Sequence, residues 1–158
     1  MIITELSGNL NDLPPEEREA LTIDYVTFDN ESRLKRVQRA TAESGDEVAL
    51  RLPTDFRELA DGDILSRDGD KVFAVKIAPT DVLVIAPRSI REALAVAHTL
   101  GNRHLQAQFF DASSEFGKEV MVVRYDHTVE HHLDHVAVPY TRGEHVMPGA
   151  FRHAEHSH

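Results

Sequence analysis

The order of strands and helices in residues 81–141 constrains the fold of this chain more than any other feature. An apolar strand at residues 81–86 precedes a helix whose apolar residues recur at helical spacing. These residues are Ile90, Ala93, Leu94, Ala97 and Leu100. Gly101 follows at once, and a glycine in that position predicts a left-handed helix end.

The rest of this segment completes a recognisable order. Strands are predicted at residues 106–110 and 120–124, a second helix over 127–136 and a final strand around 137–141. The order is therefore βαββαβ, which predicts a ferredoxin-like domain with two helices on one face of an antiparallel sheet.

The first half of the chain has the pattern of short strands. Residues 21–28 and 47–52 alternate apolar and polar side chains, and shorter strands are predicted at 64–65 and 71–77. Only one helical turn is indicated, at Pro14-Pro15. We therefore predict an α+β protein with a β-rich domain over residues 1–77, a ferredoxin-like domain over 78–146 and a flexible, histidine-containing tail over 147–158.

Charge and composition exclude several classes of function. The chain carries 27 acidic and 17 basic residues, a formal net charge of −10, and such a surface repels nucleic acid. No apolar run is longer than that of residues 82–86, which is far too short to span a membrane. No export signal is recognisable and there is no cysteine, so we expect a cytoplasmic protein without disulfides.

Histidines are concentrated at the end of the chain. Eight of the ten lie in the last 32 residues: His127, His131, His132, His135, His145, His153, His156 and His158. Imidazoles without thiolates suit nickel, copper or zinc. A purification tag is the alternative explanation, but the closing residues interleave Ala, Glu and Ser. We interpret them as a native metal-binding tail.

His104 occupies the most specific position among the candidate ligands. It lies in the turn directly after Gly101, where two regular elements fix the backbone. A histidine in a loop is common, and one imidazole cannot hold a divalent ion tightly. A metal role for His104 therefore requires ligands from the tail or from a second chain.

The second helix permits a further site without requiring one. His127, His131 and His135 recur every fourth residue on one face, and a solvated polar face explains the same spacing. His127-Thr-Val-Glu-His131 also matches the inverted zinc-peptidase motif, although few residues follow to build a cleft. We interpret Glu130 as a solvated residue. His98 lies beside the apolar residues of the first helix, and we interpret it as a packed or boundary residue.

Taken together, several segments resemble the urease accessory metallochaperones of the UreE family. The strongest match is Leu100-Gly-Asn-Arg-His104, supported by residues 78–85, by Val123-Arg-Tyr-Asp-His127 and by the closing Phe-Arg-His-x-x-His-x-His. Residues 34–39 and 59–65 resemble the first domain of the family. The similarity spans the whole chain in the right order.

The resemblance implies a homodimer with a peptide-binding-like first domain and a ferredoxin-like metal domain. It further implies that His104 and its counterpart bind Ni²⁺ at the dimer interface, with tail ligands drawn from His153, His156 and His158. Zn²⁺ and Cu²⁺ are further ions that such ligands hold in vitro. Only Asp126 and His127 occupy the region where some members carry a second set of histidines.

The function that the resemblance implies is Ni²⁺ delivery during assembly of the urease active site. The partners would be the accessory GTPase and the urease apoenzyme maturation complex, and the protein itself would not be an enzyme. Two other functions stay open on the residues alone: a general nickel or zinc buffer, and a zinc metallopeptidase on the second helix.

Overall fold

Ten strands and three α-helices are formed by residues 1–152, the part of the chain that the computed structural model describes. The strands are β1 Ile2–Ile3, β2 Thr22–Phe28, β3 Val37–Thr41, β4 Glu47–Arg51, β5 Ile64–Asp68, β6 Lys71–Ile77, β7 Thr80–Ile85, β8 Ala107–Phe110, β9 Val120–Arg124 and β10 Tyr140–His145. The helices are α1 Pro15–Glu19, α2 Ile90–Asn102 and α3 His127–Val136. None of the helices in residues 1–152 is long and apolar enough to cross a bilayer.

The described residues divide into two compact units. Unit 1 consists of Met1–Pro79 and Val146–Ala150, and unit 2 consists of Thr80–His145 with the segment that begins at Phe151. The first unit is rich in strands and the second contains both long helices, which confirms the predicted α+β class.

Unit 1 is built from two three-stranded sheets. Their strand orders are β1-β4-β3 and β2-β6-β5. Alternate residues of the strands bury apolar side chains in a common core that includes Val26, Phe28, Leu50 and Val75. The periodicity of residues 21–28 therefore indicated β2 correctly, because one side of that strand faces this core.

Two features of unit 1 differ from the prediction. Strand β3 was not predicted, because Val37 is exposed and the strand is stabilised by antiparallel pairing with β4 rather than by burial of an apolar face. Strand β5 runs on to Asp68 instead of ending at Leu65, and pairing with β6 extends it beyond its apolar residues.

The segment after β10 also corrects a prediction. Residues 147–150 were placed in a flexible tail, but Met147 and Ala150 are buried in unit 1. The Arg33 guanidinium donates hydrogen bonds to the carbonyl oxygens of Met147 (2.9 Å) and Pro148 (3.3 Å). The Ala150 N–H donates to the Glu58 carboxylate at 2.8 Å. These long-range contacts cannot be read from local periodicity.

Unit 2 has the predicted ferredoxin-like arrangement. Its four strands are antiparallel in the order β10-β7-β9-β8. Residues of both helices, including Val96, Leu100, Val129 and Leu133, share one core with alternate residues of β7 and β9. Both helices therefore pack on the same face of the sheet.

The last strand lies later in the chain than predicted. Helix α3 is followed by Ala137, which caps it with φ +59°, and the Val138 N–H donates to the Leu133 carbonyl oxygen at 3.1 Å. This left-handed end satisfies the last carbonyl groups of the helix. Strand β10 consequently begins at Tyr140 rather than near residue 137.

Candidate metal centre

His104 ends the turn that follows helix α2. The helix runs through Gly101 to Asn102, and the His104 N–H donates to the Gly101 carbonyl oxygen at 3.0 Å. His104 itself has φ +56°, so the prediction that Gly101 would adopt the left-handed conformation is wrong. A left-handed residue other than glycine is uncommon, and such conformations cluster at functional sites.

The His104 side chain is exposed and lines an open groove of about 310 Å³. We name this the His104 groove; its other lining residues are Leu105, Gln106, Arg124, Tyr125 and Asp126. The groove therefore combines an accessible imidazole with a carboxylate, two groups that bind divalent transition metals.

Asp126 is held in place by the start of helix α3. Its Oδ1 accepts hydrogen bonds from the Thr128 N–H (2.8 Å), the Thr128 hydroxyl (2.5 Å) and the Val129 N–H (3.3 Å). The hydrogen bonds from Thr128 are the largest cause of the lowered pKa of Asp126. The carboxylate is consequently ionised at neutral pH and its position is fixed.

An exposed apolar stripe along helix α2 leads to this groove. Ile90 is 81% exposed and Leu94 is 67% exposed, although the sequence pattern placed both on the apolar stripe of the helix. His98 and Gly101 continue the same face at helical spacing. Phe109 of strand β8 is 69% exposed and lines an open groove of about 560 Å³ together with Ile90 and Leu94. We call this surface, formed by Ile90, Leu94, His98 and Gly101 of helix α2 and by the adjoining Phe109, the α2 stripe.

His98 lies on this stripe rather than in the core. Its side chain is exposed, and its Nε2 lies 3.4 Å from the Asn102 Nδ2. The interpretation of His98 as a packed or boundary residue is therefore wrong. The buried face of the helix is carried instead by Val96 and Leu100.

The histidines of helix α3 are displayed to solvent. His127, His131 and His135 are exposed, whereas Val129 and Leu133 are buried on the opposite face. Among residues 1–152, no group of three or more His, Asp or Glu side chains is arranged to hold a metal ion. Within that part of the chain, these three histidines show the arrangement of a solvated polar face.

Glu130 has a structural partner. The Tyr125 hydroxyl donates to its carboxylate at 3.0 Å, so the interpretation of Glu130 as a merely solvated residue is wrong. This hydrogen bond is the largest cause of the raised pKa of Tyr125. The side chain of Tyr125 also contacts the Arg142 guanidinium, which lies 3.4 Å from the centre of the ring.

His145 lies apart from the His104 groove, at the end of strand β10. Its ring packs on Phe116 with 5.1 Å between ring centres, and its Nδ1 is 3.8 Å from a Glu115 carboxylate oxygen. Since it is half-buried against an aromatic ring, packing accounts for its position.

The root of the tail lies close to the groove in unit 2. Phe151 is 2% exposed, and the Arg124 guanidinium lies 5.7 Å from the centre of its ring. Arg124 also lines the His104 groove. The predicted ligands His153, His156 and His158 lie outside the described residues.

Sequence reasoning assigned no role to Asp126, Arg124 or Phe151 at the groove. For Asp126 a signal was present, because an aspartate directly before a helical pattern is typical of a helix cap. For Arg124 and Phe151 none was, because their contact joins the end of strand β9 to a residue 27 positions later in the chain.

The chain is an α+β protein in which a β-rich amino-terminal unit precedes a ferredoxin-like unit that displays an imidazole and a carboxylate in an open groove. The family model described as UreE urease accessory protein, N-terminal domain, matches residues 3–78.

Relatives match over their full length. The chain is 53% identical to the urease accessory protein UreE of Arthrobacter sp. (strain FB24), with 100% of both chains covered. It is 52% identical to the protein of that name from Corynebacterium urealyticum and 47% identical to that from Actinomyces naeslundii, again over 100% of each chain. The chain therefore belongs to the UreE family of urease accessory proteins, as the sequence motifs predicted.

Proposed function

We propose that the protein is a metallochaperone that binds Ni²⁺ and delivers it during assembly of the urease active site. Membership of the urease accessory family supports the role in urease maturation. The observation that carries the nickel assignment is His104, an exposed imidazole fixed in a left-handed turn beside the ionised Asp126. Imidazole ligands suit Ni²⁺, and also Zn²⁺ and Cu²⁺ in vitro.

A homodimer would supply the ligands that one chain lacks. One imidazole binds a divalent ion weakly, whereas a two-fold axis near His104 would place two copies of it around one ion. The α2 stripe supports such a dimer, because Ile90, Leu94 and Phe109 are large apolar side chains that a partner would cover. Gly101 exposes the backbone on the same face, since no atom other than those of its chain neighbours and its own helix backbone lies within 4 Å of where its Cβ would be.

The remaining ligands would come from the tail. We assign His153, His156 and His158 as candidates, because they follow Phe151 in the chain, and the Phe151 ring lies beside Arg124 of the His104 groove. His127, next to Asp126 at the rim of the groove, is a further candidate. Ligands on a terminal segment can exchange one at a time, which permits release as well as capture of the ion.

Delivery requires partners that accept the ion. We propose the accessory GTPase and the urease apoenzyme maturation complex as these partners, and the cytoplasm as the compartment. Since imidazoles bind metal only when neutral, binding should weaken as pH falls below about 6.5.

The proposal is tested by urease activity in a urease-producing host. The gene is deleted, cells are grown at limiting nickel, and urease activity and total cell nickel are both measured. We expect low urease activity that the wild-type gene restores and the His104→Ala variant does not. A general nickel or zinc buffer is the alternative: normal urease activity with altered cell nickel would favour it and contradict the delivery role.

A zinc metallopeptidase is the other alternative, and Glu130 discriminates it. The Glu130→Gln variant retains an oxygen that can accept the Tyr125 hydroxyl, so we expect its fold and nickel delivery to be unchanged. Peptidase activity in the wild type that disappears in this variant would contradict our assignment of a non-enzymatic role.

A further inference from the structure

Strand β3 forms one edge of the sheet β1-β4-β3 in unit 1. One of its sides pairs with β4, from Val37 opposite Arg51 to Thr41 opposite Glu47. Within residues 1–152 no strand pairs with the other side of β3, which we name the β3 edge. We propose that the β3 edge binds an extended, acidic segment of a partner protein as an added strand. The proposal concerns unit 1 and is independent of Ni²⁺ binding.

The main chain presents hydrogen-bonding groups at the β3 edge. The Arg36 carbonyl oxygen accepts from the Leu52 N–H at 3.0 Å, so residue 36 faces β4. Hydrogen-bonded and non-hydrogen-bonded pairs alternate along an antiparallel ladder, so every second residue after it faces β4 as well. The N–H and C=O groups of Val37, Arg39 and Thr41 consequently point away from β4, and all three residues are exposed. Such groups are a template for a further strand.

Two exposed arginines lie beside the β3 edge on the outer face of the sheet. Val37 lies opposite Arg51 and Arg39 lies opposite Ala49, so the two arginines are diagonal neighbours roughly 7 Å apart. In the part of the chain that the structure describes, no acidic side chain forms an ion pair with either of them. Two like charges at this spacing repel each other, and a carboxylate bound between them would replace that repulsion by two attractions.

The sign of this charge is opposite to that of the whole chain, whose formal net charge is −10. Residues 33–39 carry four cationic side chains. Two of them bond to main-chain carbonyl groups of unit 1, since Arg33 donates to Leu59 at 3.0 Å and Arg36 donates to Leu52 at 2.9 Å. An acidic partner is therefore repelled by most of the surface and attracted at the β3 edge, which favours one place of docking.

Protection of the edge by charge is the competing explanation, because charged residues on edge strands often prevent pairing. Arg39 and Arg51 deter basic strands, and they deter β3 of a second copy, which would bring arginine against arginine. They do not deter an acidic strand. Val37, which is 54% exposed, also adds an apolar contact beside Arg51 that protection does not require.

Strand addition defines the kind of segment that fits. Its main chain would exchange hydrogen bonds with Val37, Arg39 and Thr41, and its alternate side chains would lie on the outer face with the two arginines. Acidic residues at every second position, separated by β-branched residues, meet both requirements. The probe is therefore a short, blocked peptide of alternating glutamate and threonine.

Amide hydrogen exchange of the full chain tests the docking mode residue by residue. At saturating peptide, exchange of the Val37, Arg39 and Thr41 amides should slow by on the order of tenfold, because each N–H gains an acceptor. The Gln38 and Ala40 amides already face β4 and should change little.

N-methylated peptides supply a second test of strand addition. Alternate N–H groups of a strand point to opposite sides, so either those of the glutamates or those of the threonines face β3. Methylation of the set that faces β3 should abolish binding, whereas methylation of the other set should leave the affinity nearly unchanged. The two peptides carry the same charge and therefore control for each other.

Charge reversal tests the chemistry of the partner. The affinity of the full chain for the fluorescently labelled peptide is measured by anisotropy. Arg39→Glu and Arg51→Glu should each bind on the order of tenfold more weakly, since reversal replaces an attraction by a repulsion. Lys118→Glu makes the same change of charge at an exposed position of unit 2, and it should bind within about twofold of wild type.

Each contrary outcome overturns the inference. An equal loss of affinity in Lys118→Glu would mean that only net charge matters. Equal binding of the two N-methylated peptides, or slowed exchange that spares Val37, Arg39 and Thr41, would exclude an added strand. Absence of binding to the wild type would exclude an acidic partner at this edge.

Discussion

At the scale of single residues, two backbone features define the candidate centre. His104 adopts a left-handed conformation at the end of helix α2, and Asp126 caps the start of helix α3. The His104 backbone N–H donates to the Gly101 carbonyl oxygen, and the Asp126 carboxylate accepts from main-chain N–H groups of helix α3, so hydrogen bonds hold the His104 backbone and the Asp126 side chain. The two groups line one groove because the ends of two elements meet there.

The cap predicts a pH-dependent contribution of Asp126 to stability. Asp126→Ala should lower the free energy of unfolding by about 1 kcal/mol at pH 7, since it removes the acceptor for the first N–H groups of helix α3. The pKa of Asp126 is lowered in the folded protein, so this contribution is present at neutral pH and is lost as pH falls below about 4. Urea unfolding of the wild type and of Asp126→Ala measures this contribution at pH 7 and at pH 3.

Asp126→Asn is the matched control, because an amide oxygen also accepts hydrogen bonds at a helix cap. The Asp126→Asn variant should retain most of the free energy of unfolding at pH 7. The contribution of its cap should change little between pH 7 and pH 3, because the amide does not titrate. An equal loss for Asp126→Ala at pH 7 and pH 3 would contradict the role of the ionised cap.

At the scale of elements, the buried arginine of unit 1 explains how the segment after β10 is held. Arg33 is 1% exposed, and its guanidinium donates to the carbonyl oxygens of Leu59, Met147 and Pro148. The Glu58 carboxylate lies 3.9 Å from its Nε. A buried charge is tolerated when its donors are paired in this way.

Arg33→Met should therefore destabilise the protein strongly. The substitution removes the donor from two buried carbonyl groups, those of Leu59 and Met147, and from the partly buried one of Pro148, and we expect a loss of about 3 kcal/mol in the free energy of unfolding. Arg36→Met is the matched control, since Arg36 donates to one carbonyl oxygen, that of Leu52, and should cost about 1 kcal/mol. Equal losses in the two variants, measured by urea unfolding, would refute this account of the segment.

How far the elements could be predicted depends on what stabilises each one. Strand β2 and helix α3 bury one regular face, and their periodicity indicated them correctly. Helix α2 carries apolar residues on two faces, so periodicity alone could not tell the buried Val96 from the exposed Leu94. Strand β3 and the segment at residues 147–150 are held by distant partners, which no local pattern contains.

The candidate site could be predicted only in part, because it also depends on contacts between distant parts of the chain. The position of His104 after a helix was readable from the sequence, whereas its left-handed backbone was assigned to Gly101. The groove depends on residues from the ends of α2, β9 and α3, so its shape is a tertiary property. The role of the tail histidines stays a prediction.

At the scale of the whole molecule, the proposed dimer would cover the exposed α2 stripe. Leu94→Glu places a charge in the middle of this stripe and should shift the protein towards monomer, because an interface core disfavours an unpaired charge. The same variant should bind Ni²⁺ more weakly, since one chain then offers a single copy of His104. Sedimentation velocity measures the association state.

Val37→Glu is the control for that experiment. Val37 is 54% exposed on strand β3 of unit 1, so the same charge at this position should leave association and nickel binding unchanged. A fully dimeric Leu94→Glu variant would place the interface elsewhere.

Calorimetric titration of His104→Ala with Ni²⁺ tests whether the ion is bound through His104. His135→Ala, which also removes an exposed helix-associated imidazole, is the matched control. We expect the tightest binding event to disappear in His104→Ala, with the circular dichroism spectrum unchanged, and to remain in His135→Ala. Tight Ni²⁺ binding of unchanged affinity and stoichiometry in His104→Ala would contradict it.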